Sequence, residues 1–224
     1  MTVPDKKTEA LRDFTLNDCN MSLFGVAGME GLRRYVDISI EKTVKGLDHV
    51  VVVGLQVSQS VLDTLDNAPQ LLDKQHDKQL NYKLDRAALD IAEWILHQGY
   101  SALPIPASQT MDRSQKRAHF SHRHAAFAAG LGFQGRHSLL VTPEYGAQVR
   151  LVTVITNMPL TNSSPMEMDC GSCRACIEAC PAKAISEKGF DFDKCYAKLR
   201  GFKGQWGIGQ FICGVCLRAC RGRQ

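Results

Sequence analysis

Eight of the nine cysteines in this 224-residue chain lie between Cys170 and Cys220. Cys170-Gly-Ser-Cys173-Arg-Ala-Cys176-Ile-Glu-Ala-Cys180-Pro181 has the C-x2-C-x2-C-x3-C-P spacing by which thiolates ligate [4Fe-4S] clusters. Three thiolates two residues apart curl a loop round one cubane, and Gly171 and Ser172 let backbone amides approach its sulfides. The fourth cysteine follows one short helical turn, displaced by about 6 Å along the axis, and so reaches a different cluster. Pro181 ends the turn by removing a donor and fixing the backbone. A second set, Cys213-Gly-Val-Cys216-Leu-Arg-Ala-Cys220, holds three cysteines, with Arg221 where the first set has proline. The missing ligand is most simply Cys195, and eight ligands then make two cubanes with none left over. Crossed ligation assigns Cys170, Cys173, Cys176 and Cys220 to one cluster and Cys180, Cys195, Cys213 and Cys216 to the other. The alternative is a pair of zinc sites, which also use C-x2-C pairs. Zinc has no need for a third cysteine at x2, nor for the C-x3-C-P ending.

Around these motifs stand Lys194, Lys198, Arg200, Lys203, Arg218, Arg221 and Arg223. They are either a docking surface for an acidic partner or phosphate-bearing substrate, or charge compensation for anionic clusters. The formal charge of +4 counts every cysteine as neutral. An oxidised cubane with four thiolates carries roughly −2, so two would offset that excess. The basic balance is therefore read as local compensation, and no helix-turn-helix or basic recognition stretch points to DNA.

The elements that must position this chemistry come earlier. Hydrophobic content of 44% with 22% charged residues excludes disorder as a global description. His49 to Val57 holds the run Val50-Val51-Val52-Val53, the pattern of a buried strand. Leu80, Leu84, Ala88, Ile91 and Ile95 recur at helical spacing between Gln79 and Gly99, and Gly99 is the expected stop. Ser101 to Ile105 reads as a strand, and Ala118 to Ala129 as a helix closed by Gly130-Leu131-Gly132. Ser138 to Thr142 and Gln148 to Thr156 read as two strands joined through the turn Pro143–Gly146. This alternation predicts an α/β fold with a mixed sheet. Asn157 to Met168 reads as a linker, dividing residues 1–160, an α/β domain with the candidate cofactor or substrate site, from residues 161–224, the cluster module.

Gly130-x-Gly132-x-x-Gly135 has the letters of a dinucleotide fingerprint, but it follows a helix and precedes a strand, the reverse of the required context. His119, His122 and His124 fit hydrogen-bonding or proton-handling roles better than a metal triad, because His122 and His124 cannot share a helical face. Asp112 is a candidate catalytic proton donor or a helix N-cap. Cys19 reads as a lone thiol with a packing role. No apolar run approaches the ~18 residues of a membrane span. The N-terminus lacks a signal-peptide core and Arg33-Arg34 precedes no apolar stretch, so a cytoplasmic location is expected, where clustered cysteines point to metal rather than disulfides.

Ala129 to Leu140, taken with the cysteines, resembles the epoxyqueuosine reductase family, which shares a catalytic core with reductive dehalogenases. Family members carry an AGLGW-x-GK segment, matched here by Ala129-Gly-Leu-Gly-Phe133-Gln-Gly-Arg136, with Phe133 for tryptophan and Arg136 for lysine. A strand–turn–strand like Leu139 to Thr156 follows, then CGxCxxCxxxCP, a lone cysteine and a closing CxxCxxxC. The resemblance covers about Leu103 to Cys220. It implies a nitroreductase-like mixed-sheet α/β domain with a bacterial ferredoxin-like 2[4Fe-4S] module. It also implies a base-off cobalamin, with Arg136, His137 and Ser138 near the corrinoid. The family's proton-donating aspartate lies closer to the glycine segment than Asp112 does. Implied partners are a low-potential electron donor of ferredoxin or flavodoxin type and a small-molecule or corrinoid-protein substrate. The sequence stops four residues after Cys220 without the family's helical repeats, which argues against a transfer-RNA substrate. Two readings remain: a reductase or reductive activator that uses the clusters, or an electron carrier that docks to a partner oxidoreductase or corrinoid protein.

Overall fold

A computed structural model describes residues 2–108, 118–205 and 207–222. Helix α1 (Val3–Asp13) starts in a capping box, in which the Thr2 side chain accepts from the Asp5 N–H and the Asp5 carboxylate accepts from the Thr2 N–H. Strands β1 (Leu23–Gly28) and β2 (His49–Gln56) pair antiparallel, with Val26 opposite Val51. The short helix α2 (Gln59–Leu62) follows, and then the long helix α3 (Leu71–His97). Strand β3 (Ala102–Ile105) pairs antiparallel with β6 (Val149–Thr156), which completes a four-stranded sheet in the order β1-β2-β6-β3. Val50 to Val53 are all fully buried, as a continuous apolar run requires when both faces of a strand are covered. Leu84, Ile91 and Ile95 of α3 are likewise fully buried at helical spacing. The α/β reading of the sequence holds.

Helix α4 (His122–Ala128) packs on β1. It ends in a Schellman pattern: the Leu131 N–H reaches the Ala126 carbonyl, and Gly130 adopts φ +65. A Cβ on Gly130 would collide with the Ser164 carbonyl oxygen, so the position needs glycine for both its dihedral and its space. The expected hairpin of Ser138–Thr142 with Gln148–Thr156 forms differently. Strand β5 (Leu140–Val141) pairs with β4 (Phe133–Gln134), and only a Thr142–Gly146 bridge closes the intervening turn. Leu140 and Val141 are apolar enough for either partner, and β6 is taken by β3 and β2.

Two compact units interleave along the chain. Met1–Leu55, Asn81–Leu131 and Arg150–Met166 form unit 1, while Gln56–Leu80, Gly132–Val149 and Glu167–Gln224 form unit 2. The cysteine-rich segment thus folds with two stretches drawn from earlier in the chain. Unit 2 further contains helix α5 (Ala175–Ala179), the hairpin β7 (Ile185–Ser186) and β8 (Gly189–Phe190), helix α6 (Phe192–Gln205) and helix α7 (Val215–Ala219). Leu62, Leu65, Ile185, Phe202, Ile208 and Val215 form its buried apolar centre.

Candidate metal centre

Helices α5 and α7 pack against each other and occupy the same place in their motifs. Each is five residues long, encloses the last cysteine but one of its motif (Cys176 or Cys216), and ends at a cysteine in extended conformation (Cys180 or Cys220).

The electrostatic neighbours of the thiols sort into two sets. Burial, then Cys220, Cys170 and Cys173, pushes the Cys176 thiol up to about 11. Cys220 is raised by burial and by Cys170 and Cys173, against the opposing N–H groups of Ala147 and Gly222. Burial and then Cys180 raise Cys195. Burial pushes Cys213 up to about 11; the Val215 N–H opposes, and Cys195, Cys180 and Asp73 add to the rise. Cys216 is raised by burial, then by Cys213, Cys195 and Cys180, and lastly by Cys176. One set is therefore Cys170, Cys173, Cys176 and Cys220, and the other Cys180, Cys195, Cys213 and Cys216. Among these influences only that of Cys176 on Cys216 crosses between them. Desolvation and like-charge neighbours both disfavour free thiolates, so a donor set of this kind fits a multiply charged cationic centre that replaces the protons. Backbone N–H groups reach the sulfurs as well: Ala184 N–H donates to Cys180 Sγ at 3.3 Å. Among the described residues no three His, Cys, Asp or Glu side chains form the arrangement of a single-ion site. The thiols are gathered within electrostatic reach without converging as ligands of one ion do.

The loop of the first motif is held by a residue outside it. The Gly135–Ser138 turn, closed by Ser138 N–H to the Gly135 carbonyl at 2.8 Å, puts Arg136 and His137 at its central positions. Arg136 donates to the carbonyls of Cys173 (Nε, 3.2 Å) and Gly171 (Nη2, 2.7 Å). Its Nη1 lies 2.7 Å from Glu187, at the tip of the β7–β8 hairpin, and Glu187 also pairs with Arg174 at 2.6 Å. His137 is 3% exposed, and burial takes its pKa down to about 4. The neutral ring accepts the Leu139 N–H at Nδ1, 3.1 Å away. Both side chains, which the family resemblance sets near a corrinoid, have these partners inside unit 2. Ser138 sits in the same turn at φ +63.

The second motif is held from two other stretches of the same unit. Gln148 Nε2 donates to the carbonyls of Leu217 and Arg218 at the end of α7, and the Ala147 N–H donates to the Cys220 carbonyl. Arg218 donates to the Leu65 carbonyl, and Arg221 pairs with Asp63 at 3.0 Å. None of these supports is visible as a motif. Glu187 and Gln148 carry no signal in the sequence beyond being polar.

In unit 1, His122 Nε2 donates to the Pro106 carbonyl at 2.9 Å, so Nδ1 accepts from the Thr153 hydroxyl at 3.0 Å. Burial holds His122 below its ordinary pKa. His124 stacks on Tyr35 with ring centroids 3.9 Å apart and lies 2.6 Å from Ser121 Oγ. These two histidines hold local structure, while the His119 carbonyl accepts from the Asp37 N–H. Cys19 is half-buried, and burial, then Asp90 and Asp18, pushes it up to about 11, away from reactivity. Asp112 lies outside the described residues. No helix among the described residues is long and apolar enough to cross a membrane.

An α/β sheet unit together with a unit that gathers eight thiols defines an α/β protein with a cysteine-rich module. No family model matches the chain. Over 109 residues it is 40% identical to the epoxyqueuosine reductase of Bacillus subtilis, a match covering 45% of this chain and 28% of the relative. Over 190 residues, 77% of this chain, it is 28% identical to the tetrachloroethene reductive dehalogenase of Sulfurospirillum multivorans, covering 35% of that protein. These matches span only about a third of each relative's length. Among solved structures, a catabolic reductive dehalogenase in complex with 3-bromo-4-hydroxybenzoic acid superposes with a TM-score of 0.77 at 20% identity, covering 98% of this chain and 32% of that one. A selenomethionine-labelled epoxyqueuosine reductase gives 0.64 at 21% identity, covering 96% and 65%. Another, with an epoxyqueuosine-modified tRNA stem loop, gives 0.59 at 22%, covering 89% and 58%. The resemblance read from the sequence is borne out: the chain has relatives named epoxyqueuosine reductase and reductive dehalogenase, and it shares the fold of both. The expectation against transfer RNA finds no support, since one of these structural neighbours carries a tRNA stem loop.

Proposed function

We propose that this chain is a two-cluster iron–sulfur reductase, similar to the epoxyqueuosine reductases, with Cys170, Cys173, Cys176 and Cys220 holding one [4Fe-4S] cluster and Cys180, Cys195, Cys213 and Cys216 the other. The observation that carries this is that the thiols nearest Cys176, Cys195, Cys213, Cys216 and Cys220 fall, but for the Cys216–Cys176 approach, into the two sets that crossed ligation requires. Such clusters supply one-electron chemistry at low potential. The chain's own residues do the rest. Arg136 and Glu187 fix the loop that presents Cys170 and Cys173. Gln148 and Ala147 fix the end of α7 that presents Cys220. N–H groups of Ala184, Val215, Ala147 and Gly222 approach the sulfurs, which favours the ionised ligands and raises the potential of a bound cluster. A cobalamin, an electron donor of ferredoxin or flavodoxin type, and a cytoplasmic setting belong to the proposal through the family resemblance.

The second reading is an electron carrier without a substrate of its own, and the engagement of Arg136 and His137 within unit 2 favours it. Metal and corrinoid content after anaerobic purification separates the two. Iron with cobalt supports the reductase. Iron without cobalt, even after incubation with cobalamin, leaves the carrier.

A further inference from the structure

We infer that the face of α6 bearing Phe192, Tyr196, Arg200 and Lys203 is where an acidic one-electron carrier protein docks, delivering electrons to the Cys180–Cys195–Cys213–Cys216 centre. This rests on the iron–sulfur reading above. The four residues recur at i, i+4, i+8 and i+11, which places them along one side of the helix. Phe192 stacks on Tyr196 with centroids 5.7 Å apart, and Tyr196 stacks on Phe211 at 5.4 Å and 6°. Tyr196 adjoins Cys195 in the chain, and Phe211 stands two residues before Cys213. The ladder of rings therefore links the chain segments that bear two of the four thiols to the exposed Phe192, which keeps an approaching carrier close to the centre.

Charge selects the carrier. Helix α6 carries Lys194, Lys198, Arg200 and Lys203, all exposed, against the single acid Asp193. Lys203 Nζ lies 4.9 Å from the Phe211 ring centroid, so one cation sits at the ladder itself. Lys194 and Lys198, at i+2 and i+6, lie on the other side of the helix, and Lys194 pairs with Asp191 at 3.4 Å, which leaves Arg200 and Lys203 as the cations of this side. A basic rim round an aromatic centre is complementary to an acidic protein and steers its encounter. A cluster held by Cys180, Cys195, Cys213 and Cys216 would take up the one electron that the reduced carrier gives up on its oxidation, with no bond broken and no proton moved. The same surface chemistry would suit single-stranded nucleic acid. The joining of the rings to the thiols favours the electron carrier.

The test uses the anaerobically reconstituted chain, with its iron content verified, and an acidic ferredoxin. In calorimetry at low ionic strength, Arg200→Glu with Lys203→Glu should weaken binding of oxidised ferredoxin about tenfold or more and flatten its salt dependence. Cluster reduction by reduced ferredoxin should slow in proportion, while reduction by photoreduced deazaflavin keeps its rate. Lys83→Glu, an exposed reversal on α3, should change neither. Unchanged affinity in the double variant, an equal loss in Lys83→Glu, or a slowed deazaflavin reaction overturns the docking face. Loss of binding to a single-stranded RNA oligonucleotide with ferredoxin binding intact also overturns it, and makes the face a nucleic-acid surface. A wild-type chain that takes up no iron refutes the iron–sulfur reading before any carrier is added, so the two failures are read separately.

Discussion

Replacing Arg136 with methionine keeps the aliphatic stem and deletes the guanidinium that ties the first cysteine loop to its unit. Three interactions go with it: hydrogen bonds to the Cys173 and Gly171 carbonyls, at 3.2 and 2.7 Å, and the 2.7 Å pair with Glu187. Hydrogen bonds with one charged partner contribute roughly 1.5–3 kcal/mol each in net terms. The ion pair adds less than about 1 kcal/mol, because the Arg136 side chain is 22% exposed and that of Glu187 is 46% exposed. Loop carbonyls released to water recover part of the loss, so the expected cost is about 2–4 kcal/mol. For a chain of this size that is a fall of about 10 °C in Tm. The change should also be local: the cluster at Cys170, Cys173, Cys176 and Cys220 should lose iron several-fold faster, while the other cluster keeps its rate. Thermal unfolding gives the first quantity and cluster-resolved electron paramagnetic resonance during iron release the second. Arg136→Lys should fall between, since an ammonium cannot reproduce the fork. An unchanged Tm, or equal iron loss from both clusters, would refute the account of the loop.

Cys220→Ser should damage the cluster served by the distant Cys170 motif, and Cys180→Ser the other, read by cluster-resolved spectroscopy; damage confined to each residue's own motif would make the crossing wrong. His137 has its pKa lowered from 6.5 to about 4 by burial, so its contribution to stability is complete above about pH 6.5 and is lost as pH falls towards 4. His137→Phe should flatten the decline in denaturant stability across that window by a few kcal/mol, leaving the part that His122, lowered in the same sense, contributes. Gly130→Ala should cost at least about 2 kcal/mol, from the left-handed dihedral and the collision with the Ser164 carbonyl; urea denaturation measures it, and a neutral outcome would show that the α4 terminus relaxes.

Much of the sheet was legible where burial alone decides the pattern. Val50 to Val53 read as a strand because both faces are covered, and Leu84, Ile91 and Ile95 fixed α3 through their period. The start of α3 was not legible, since Leu71 and Leu72 are exposed while Asp73 is buried, the inverse of an amphipathic turn. Strand β1 escaped for a different reason. Gly25 and Gly28 dilute its strand pattern, yet Gly25 is there because a Cβ would come within 2.9 Å of the Ala129 carbonyl. Leu140 and Val141 were assigned to a strand correctly but to the wrong partner, because two apolar residues cannot specify register. At the candidate centre the cysteines were legible because ligand spacing is local. The groups that hold them are not: Arg136, Gln148 and Arg218 act through backbone carbonyls, and a carbonyl leaves no trace in a sequence.

Mössbauer spectroscopy of 57Fe-labelled protein, prepared anaerobically and quantified per chain, tests the central claim most directly. Two four-iron clusters require about eight irons per chain, all in [4Fe-4S] signatures. Zinc in place of iron, or no more than about four irons with half the cysteines still titratable as thiols, would contradict it.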